Sequence, residues 1–143
     1  TAAAMTREVV VIPPELNLAA AHHLMDKSRI RHLPVVRQGA LLGILSDRDV
    51  LRYNARLERT TCAEAMTAAP ITCTPATPVA RVAALMIEHK IDSIPVLSEG
   101  GRLVGLVTSS DLLGLLVDQP EVNRLPFDFH VRMAEPQELV ATA

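Results

Sequence analysis

Ser46-Asp47-Arg48-Asp49 and Thr108-Ser109-Ser110-Asp111 each set a hydroxyl three residues ahead of a carboxylate. Each follows a glycine and two apolar residues, Gly43-Ile44-Leu45 and Gly105-Leu106-Val107. A strand ending at a helix start would put the hydroxyl at the N-cap and the aspartate in the first turn. Such a corner gathers backbone N–H groups, the positive end of a helix dipole, a hydroxyl and a carboxylate. That set suits a phosphorylated ribose, with the carboxylate on the sugar hydroxyls and the N–H groups and hydroxyl on phosphate oxygens. The same spacing also describes a capping box with Asp in place of Glu or Gln, which only starts a helix. One copy alone favours the capping reading. Duplication of glycine, strand and corner in register shifts the balance toward a site.

The duplication extends through the chain. A shift of 61 residues aligns Met5-Thr6 with Met66-Thr67, Pro14 with Pro75, Leu24-Met25 with Leu85-Met86, and Pro34-Val35 with Pro95-Val96. After one extra residue at Gly101, a shift of 62 aligns Gly43 with Gly105 and Asp49 with Asp111. Within each repeat the pattern predicts a short lead-in helix (Ala2 to Met5; Ala63 to Met66) and a short β-branched strand (Val9 to Ile12; Ile71 to Cys73) ended by proline. A helix follows, from about Leu18 to Ser28 and from about Pro78 to Lys90. Asn17 is a candidate cap for the first, while Thr77 caps the second with Pro78 at its first position. Hairpins turn at Gln38-Gly39 and Gly100-Gly101, and closing helices start at Asp47 and Ser109. The fold class is α/β (α+β): two β-α-β-β-α units, each too small to bury a core alone. The boundaries are 1–57 for the first repeat, 58–65 for a linker and lead-in helix, 66–118 for the second repeat and 119–143 for a tail.

Hydrophobic residues make up 49% of the 143, and aromatics 2%. The core is therefore aliphatic, and a planar ligand would lie between Ile, Val, Leu and Pro. A net charge of −2 and the lack of stacking platforms argue against a nucleic-acid partner. Cys62 and Cys73 make no disulfide framework. No apolar run reaches membrane-spanning length, and no signal-peptide pattern opens the chain. The expectation is a cytoplasmic domain without a membrane partner; an opening at Thr1 fits a piece of something larger.

Leu112, Leu113, Leu115, Leu116 and Val117 make the last helix apolar nearly all round, with Gly114 in its middle. One face packs on its own sheet. The other is expected to meet a second subunit, giving a homodimer through helices, unless the C-terminal segment folds back over it. From Gln119 onward Pro120, Pro126 and Pro136 punctuate a stretch without period, in which Phe127 and Phe129 alternate as a short strand or hook.

Taken together, Met-Thr, strand, Pro, the Leu-Met helix, the Ile-x-x-apolar-Pro-Val segment and Gly-apolar-apolar-Ser/Thr-x-x-Asp resemble a CBS domain. The tandem, from about Met5 to Val117, resembles a Bateman module. The resemblance implies repeats related by pseudo-two-fold symmetry, with clefts that bind AMP, ADP, ATP, S-adenosylmethionine or NAD as regulatory ligands. It implies no required cofactor, no catalysis, disc-shaped dimers and regulation of an enzyme or transporter. Carried over, Asp49 and Asp111 would accept ribose hydroxyls, and Ser46 and Thr108 would contact phosphate or ribose. Val10-Val11 and Ile71-Thr72 would offer backbone to the adenine edge. Pro34 and Pro95 would wall the cleft, and Arg31 and His32 would approach phosphate.

The halves are unequal. The first corner carries Arg48, and Asp92-Ser93 replaces Arg31-His32 in the second repeat. One good site and one weaker site are expected, with a slight preference for the first corner. His22, His23, His32, His89 and His130 are scattered without chelating spacing. No nucleophile pairing or Gly-rich phosphate loop is visible. A ligand sensor therefore leads, ahead of a ligand-free dimerisation module and, further back, an enzyme.

Overall fold

The computed structural model describes residues 8–118 and 131–139. The lead-in segment Ala2 to Met5, and Pro120, Pro126, Phe127, Phe129 and His130, lie outside the described residues.

The first repeat opens with Ile12, which makes a single parallel bridge to Val35 rather than a full strand. Its N–H donates to the Pro34 carbonyl at 3.0 Å, and its own carbonyl accepts from Val36 at 2.9 Å. Pro13 and Pro14 stop the ladder there, since proline offers no N–H. Helix α1 (Leu18–Ser28) starts at Asn17, whose side chain accepts from the Ala20 N–H at 2.9 Å. It buries Leu18, Ala21 and Met25, an i, i+3, i+7 stripe. Strands β1 (His32–Arg37) and β2 (Ala40–Ser46) pair antiparallel. Gln38 and Gly39 both take positive φ, as a two-residue primed turn needs. Helix α2 (Asp47–Arg52) is short and passes into a 3₁₀ turn at Asn54–Arg56.

The connecting segment is structural. Leu18 N–H donates to the Thr60 carbonyl at 2.9 Å, Ala19 to Leu57 at 3.1 Å, and Cys62 to Leu16 at 2.7 Å. Helix α3 (Cys62–Ala65) thereby buries both its end residues in the first repeat's core. Strand β3 (Thr67–Ala68) adds to the edge of β2. Gly43 permits that approach: a Cβ there would stand 2.6 Å from the Thr67 carbonyl oxygen.

The second repeat repeats the plan. Cys73 bridges Val96 in parallel, again in place of a full strand. Helix α4 (Val79–His89) has Pro78 in extended backbone at its N-cap, not inside the helix. Thr77 does not cap it either, because its hydroxyl turns back to accept from the Thr74 N–H at 3.0 Å. Strands β4 (Ser93–Leu97) and β5 (Leu103–Thr108) form the second hairpin. The Ser98 N–H donates to the Arg102 carbonyl, and Gly101 takes φ +81. The residue inserted relative to the first repeat thus serves as the left-handed position of a three-residue turn. Helix α5 (Ser109–Val117) closes the repeat, and a bridge between Ala40 and Arg102 joins the hairpins. In the second described segment, Pro136–Leu139 is a 3₁₀ turn held by Arg132, which donates to Glu138 at 2.7 and 2.8 Å.

Candidate functional site

Both hydroxyl–aspartate corners form as full capping boxes. Ser46 N–H donates to Asp49 Oδ2 at 2.8 Å, and Asp49 N–H donates to Ser46 Oγ at 3.2 Å. The corresponding distances for Thr108 and Asp111 are 2.7 and 3.3 Å. The capping reading is therefore correct for each copy. A third N–H of the first corner, that of Asp47, is taken by the Arg31 carbonyl at 3.0 Å. The corner therefore commits these amides internally.

Capping does not exhaust the first corner. Beside it lies a cleft of about 420 Å³, inside the range of about 300–1,000 Å³ typical of small-molecule sites. Three separate stretches build it. The first repeat contributes His32, Ile44 and Ser46 through Asp49, with Arg52. The start of the second contributes Thr67 and Ala69-Pro70-Ile71. The junction of α4 and β4 contributes His89 through Ser93. Asp49 is 5% exposed, and its Oδ1 meets Arg52 Nη1 at 3.3 Å. Arg52 is itself largely exposed, so its hold on that oxygen is weak and displaceable. His32 reaches across the cleft to Asp92, Nε2 to Oδ1 2.8 Å, and ties the repeats together. Lys90 sits at the C-cap of α4 with φ +53, a left-handed conformation unfavourable for a side-chain-bearing residue. That turn places it on the cleft wall.

Of the sequence-derived candidates, Ser46, Arg48, Asp49 and His32 line this cleft together with Ile71. Arg31 lines a separate groove between α1 and α2 with His22, Asp26 and Arg29. Pro34 and Pro95 are fully buried within their hairpins and line neither this cleft nor the α1–α2 groove; their carbonyls accept from the Ile12 and Cys73 N–H groups. Thr72 does not line the cleft, and Val11 lies exposed on the first repeat's lead segment. Thr108 and Asp111 belong to the opposite corner. Arg52, Pro70, His89, Lys90 and Asp92 were missed as candidates. The signal available for them was the repeat itself: a two-fold relation sets the α–β junction of one repeat against the corner of the other. Among the described residues no cluster of three or more His, Cys, Asp or Glu could hold a metal. No described helix is long and apolar enough to cross a membrane.

Comparison with known proteins agrees with this architecture. An inosine-5′-monophosphate dehydrogenase of Korarchaeum cryptofilum is 37% identical over 74% of this chain, but the match spans only 22% of that enzyme. The CBS domain-containing protein YhcV of Bacillus subtilis is 33% identical over 76% of this chain and 79% of its own length. A crystal structure of a CBS domain pair in complex with 5′-methylthioadenosine and S-adenosyl-L-methionine superposes with a TM-score of 0.74 at 30% identity, covering 80% of this chain and 93% of the other. The CBS domain family model matches twice, at residues 2–56 and 62–118. This chain belongs to the CBS-domain family, as a tandem pair of its domains.

Proposed function

We propose that this pair is a regulatory sensor that binds an adenosine-containing small molecule between its repeats and signals to an attached or partner protein, an enzyme or transporter. One observation carries the reading. Asp49 is a buried carboxylate on the wall of a two-repeat cleft, with one oxygen spent on its cap and the other held only by an exposed arginine. An ionised carboxylate offers about four lone-pair positions. It can therefore cap α2 and still accept ribose hydroxyls once Arg52 moves aside. The backbone of Ala69-Pro70-Ile71 borders the cleft and is offered to the adenine edge, while Ile44 and Ile91 supply apolar faces. Arg48, Arg52 and Lys90 are the cations for a phosphate. The ligand class is AMP, ADP, ATP, S-adenosylmethionine or NAD. The complex of the structural relative with two adenosine compounds supports that class. A ligand spanning both repeats acts by favouring the geometry it binds better. The module itself is read as non-catalytic.

Thermal unfolding against a panel of adenosine compounds tests this. A ligand at 100 times its Kd should add about 2.7 kcal/mol of stability. A flat response to the whole panel would favour the alternative, a ligand-free dimerisation module.

A specific observation supports dimerisation in either case. Helix α5 exposes Leu113, Leu116 and Val117, and α4 exposes Ile87. Apart from its chain neighbours and its own helix backbone, no described residue lies within 4 Å of a Cβ built at Gly114. We read this face as the contact with a second copy. Leu116→Glu should convert a dimer to monomer in sedimentation equilibrium while leaving the secondary structure intact; an unchanged mass would remove α5 from the interface.

A further inference from the structure

The geometry points to Asp92 as the residue that sets how much negative charge a ligand of this cleft can carry, an inference that rests on the nucleoside-binding reading above. With histidines neutral, the cleft lining holds three cations, Arg48, Arg52 and Lys90, against three carboxylates, Asp47, Asp49 and Asp92. Asp49 is engaged by its cap. Asp92 is different, because the fold does not require an acid there. Its carbonyl accepts from the Ser109 N–H at 2.9 Å, and in the first repeat the Arg31 carbonyl accepts from Asp47 at 3.0 Å. The backbone does the same task in both repeats, while the side chain changes sign. In this repeat the carboxylate, half open to solvent at the cleft mouth, takes the ring Nε2 of His32, whose own side chain is 9% exposed.

An incoming phosphate therefore finds the histidine already occupied by an anion. It must displace Asp92, whose side chain is 52% exposed, or sit beside it, and like charges within a few ångströms repel by about 1 kcal/mol or more even where water screens them. A nucleoside whose 5′ group is uncharged meets no such barrier. Asp92 thus ranks ligands by anionic charge: adenosine-type compounds pass, one phosphate is penalised, and two are penalised more.

Asp92→Asn tests this, because the amide oxygen keeps the shape and still accepts from the His32 ring. Calorimetric titration with adenosine, AMP and ADP at one ionic strength should show AMP tightened about tenfold, ADP tightened further and adenosine within about twofold. Glu99→Gln, the same charge change at the exposed tip of the second hairpin, should move none of them. Equal tightening of all three compounds, no change for AMP and ADP, or an equal gain from Glu99→Gln would overturn the assignment while leaving the sensor intact. Absence of binding by all three compounds to both wild type and Asp92→Asn would instead overturn the sensor reading, and this inference with it.

Discussion

The two repeats build the same corner and bury it differently. Their capping distances are 2.8 and 3.2 Å at Ser46–Asp49, and 2.7 and 3.3 Å at Thr108–Asp111. Yet Asp49 is buried and Asp111 only half-buried, and α5 buries no residue where α2 buries Asp49 and Val50. Among the described residues the first repeat's core joins ten buried side chains and the second's joins four. Two of the ten, Cys62 and Ala65, arrive from the connecting segment, which backbone hydrogen bonds fasten to residues 14–19. A local motif fixes local geometry. How deep that geometry sits depends on which distant segment covers it.

The strongest challenge to this contrast is truncation of the two cores. Leu33 and Ile94 are both fully buried in equivalent hairpin strands. Leu33→Ala should cost about 3–5 kcal/mol, because its closely packed surroundings cannot collapse into the cavity. Ile94→Ala should fall near the lower end of that scale, about 2 kcal/mol, because its partners are mostly half-buried and can relax. Equal losses in urea unfolding would show that the second core is as rigid as the first.

Smaller effects come from the corners. Asp49→Ala and Asp111→Ala each remove a cap and should each cost about 1–2 kcal/mol. If the described cleft is the working one, only Asp49→Ala should also weaken adenosine-ligand binding, by tenfold or more. Equal binding by Asp49→Ala and wild type would move the site to the other corner.

The finest distinction is between the cysteines. Burial raises the Cys62 thiol from about 9 to about 11 and raises Cys73 as well. The folded pKa lies above the unfolded one, so the neutral thiol stabilises the fold below pH 9. That contribution is lost as pH climbs toward 11. At pH 8 a thiol reagent should label Cys73, 7% exposed in the smaller core, before Cys62, 0% exposed, with both protected until unfolding opens them. Reversed order would mean that the first repeat opens first.

Much of this was legible beforehand. The bounds of α1, the hairpins, the Asn17 cap and the starts of α2 and α5 follow from apolar period, turn residues and capping chemistry within a few residues of each other. The errors were also local in cause. Val9–Ile12 and Ile71–Cys73 read as strands from β-branched content, but the prolines behind them leave a single bridge each. Pro34 and Pro95 read as cleft walls, yet both lie in runs of three consecutive buried residues in their strands, covered on both faces.

The sequence alone determined the duplication, the element order and the hydroxyl–carboxylate corners, because each is written in residues a few positions apart and enforced by short hydrogen bonds. Only the tertiary structure decided that Asp49 shares a cleft with Lys90 and Asp92, that His32 spends its ring nitrogen on the other repeat, and that Arg31 lies outside that cleft. Those relations join residues 40 to 60 positions apart in the chain, and they follow from how two incomplete cores bury each other.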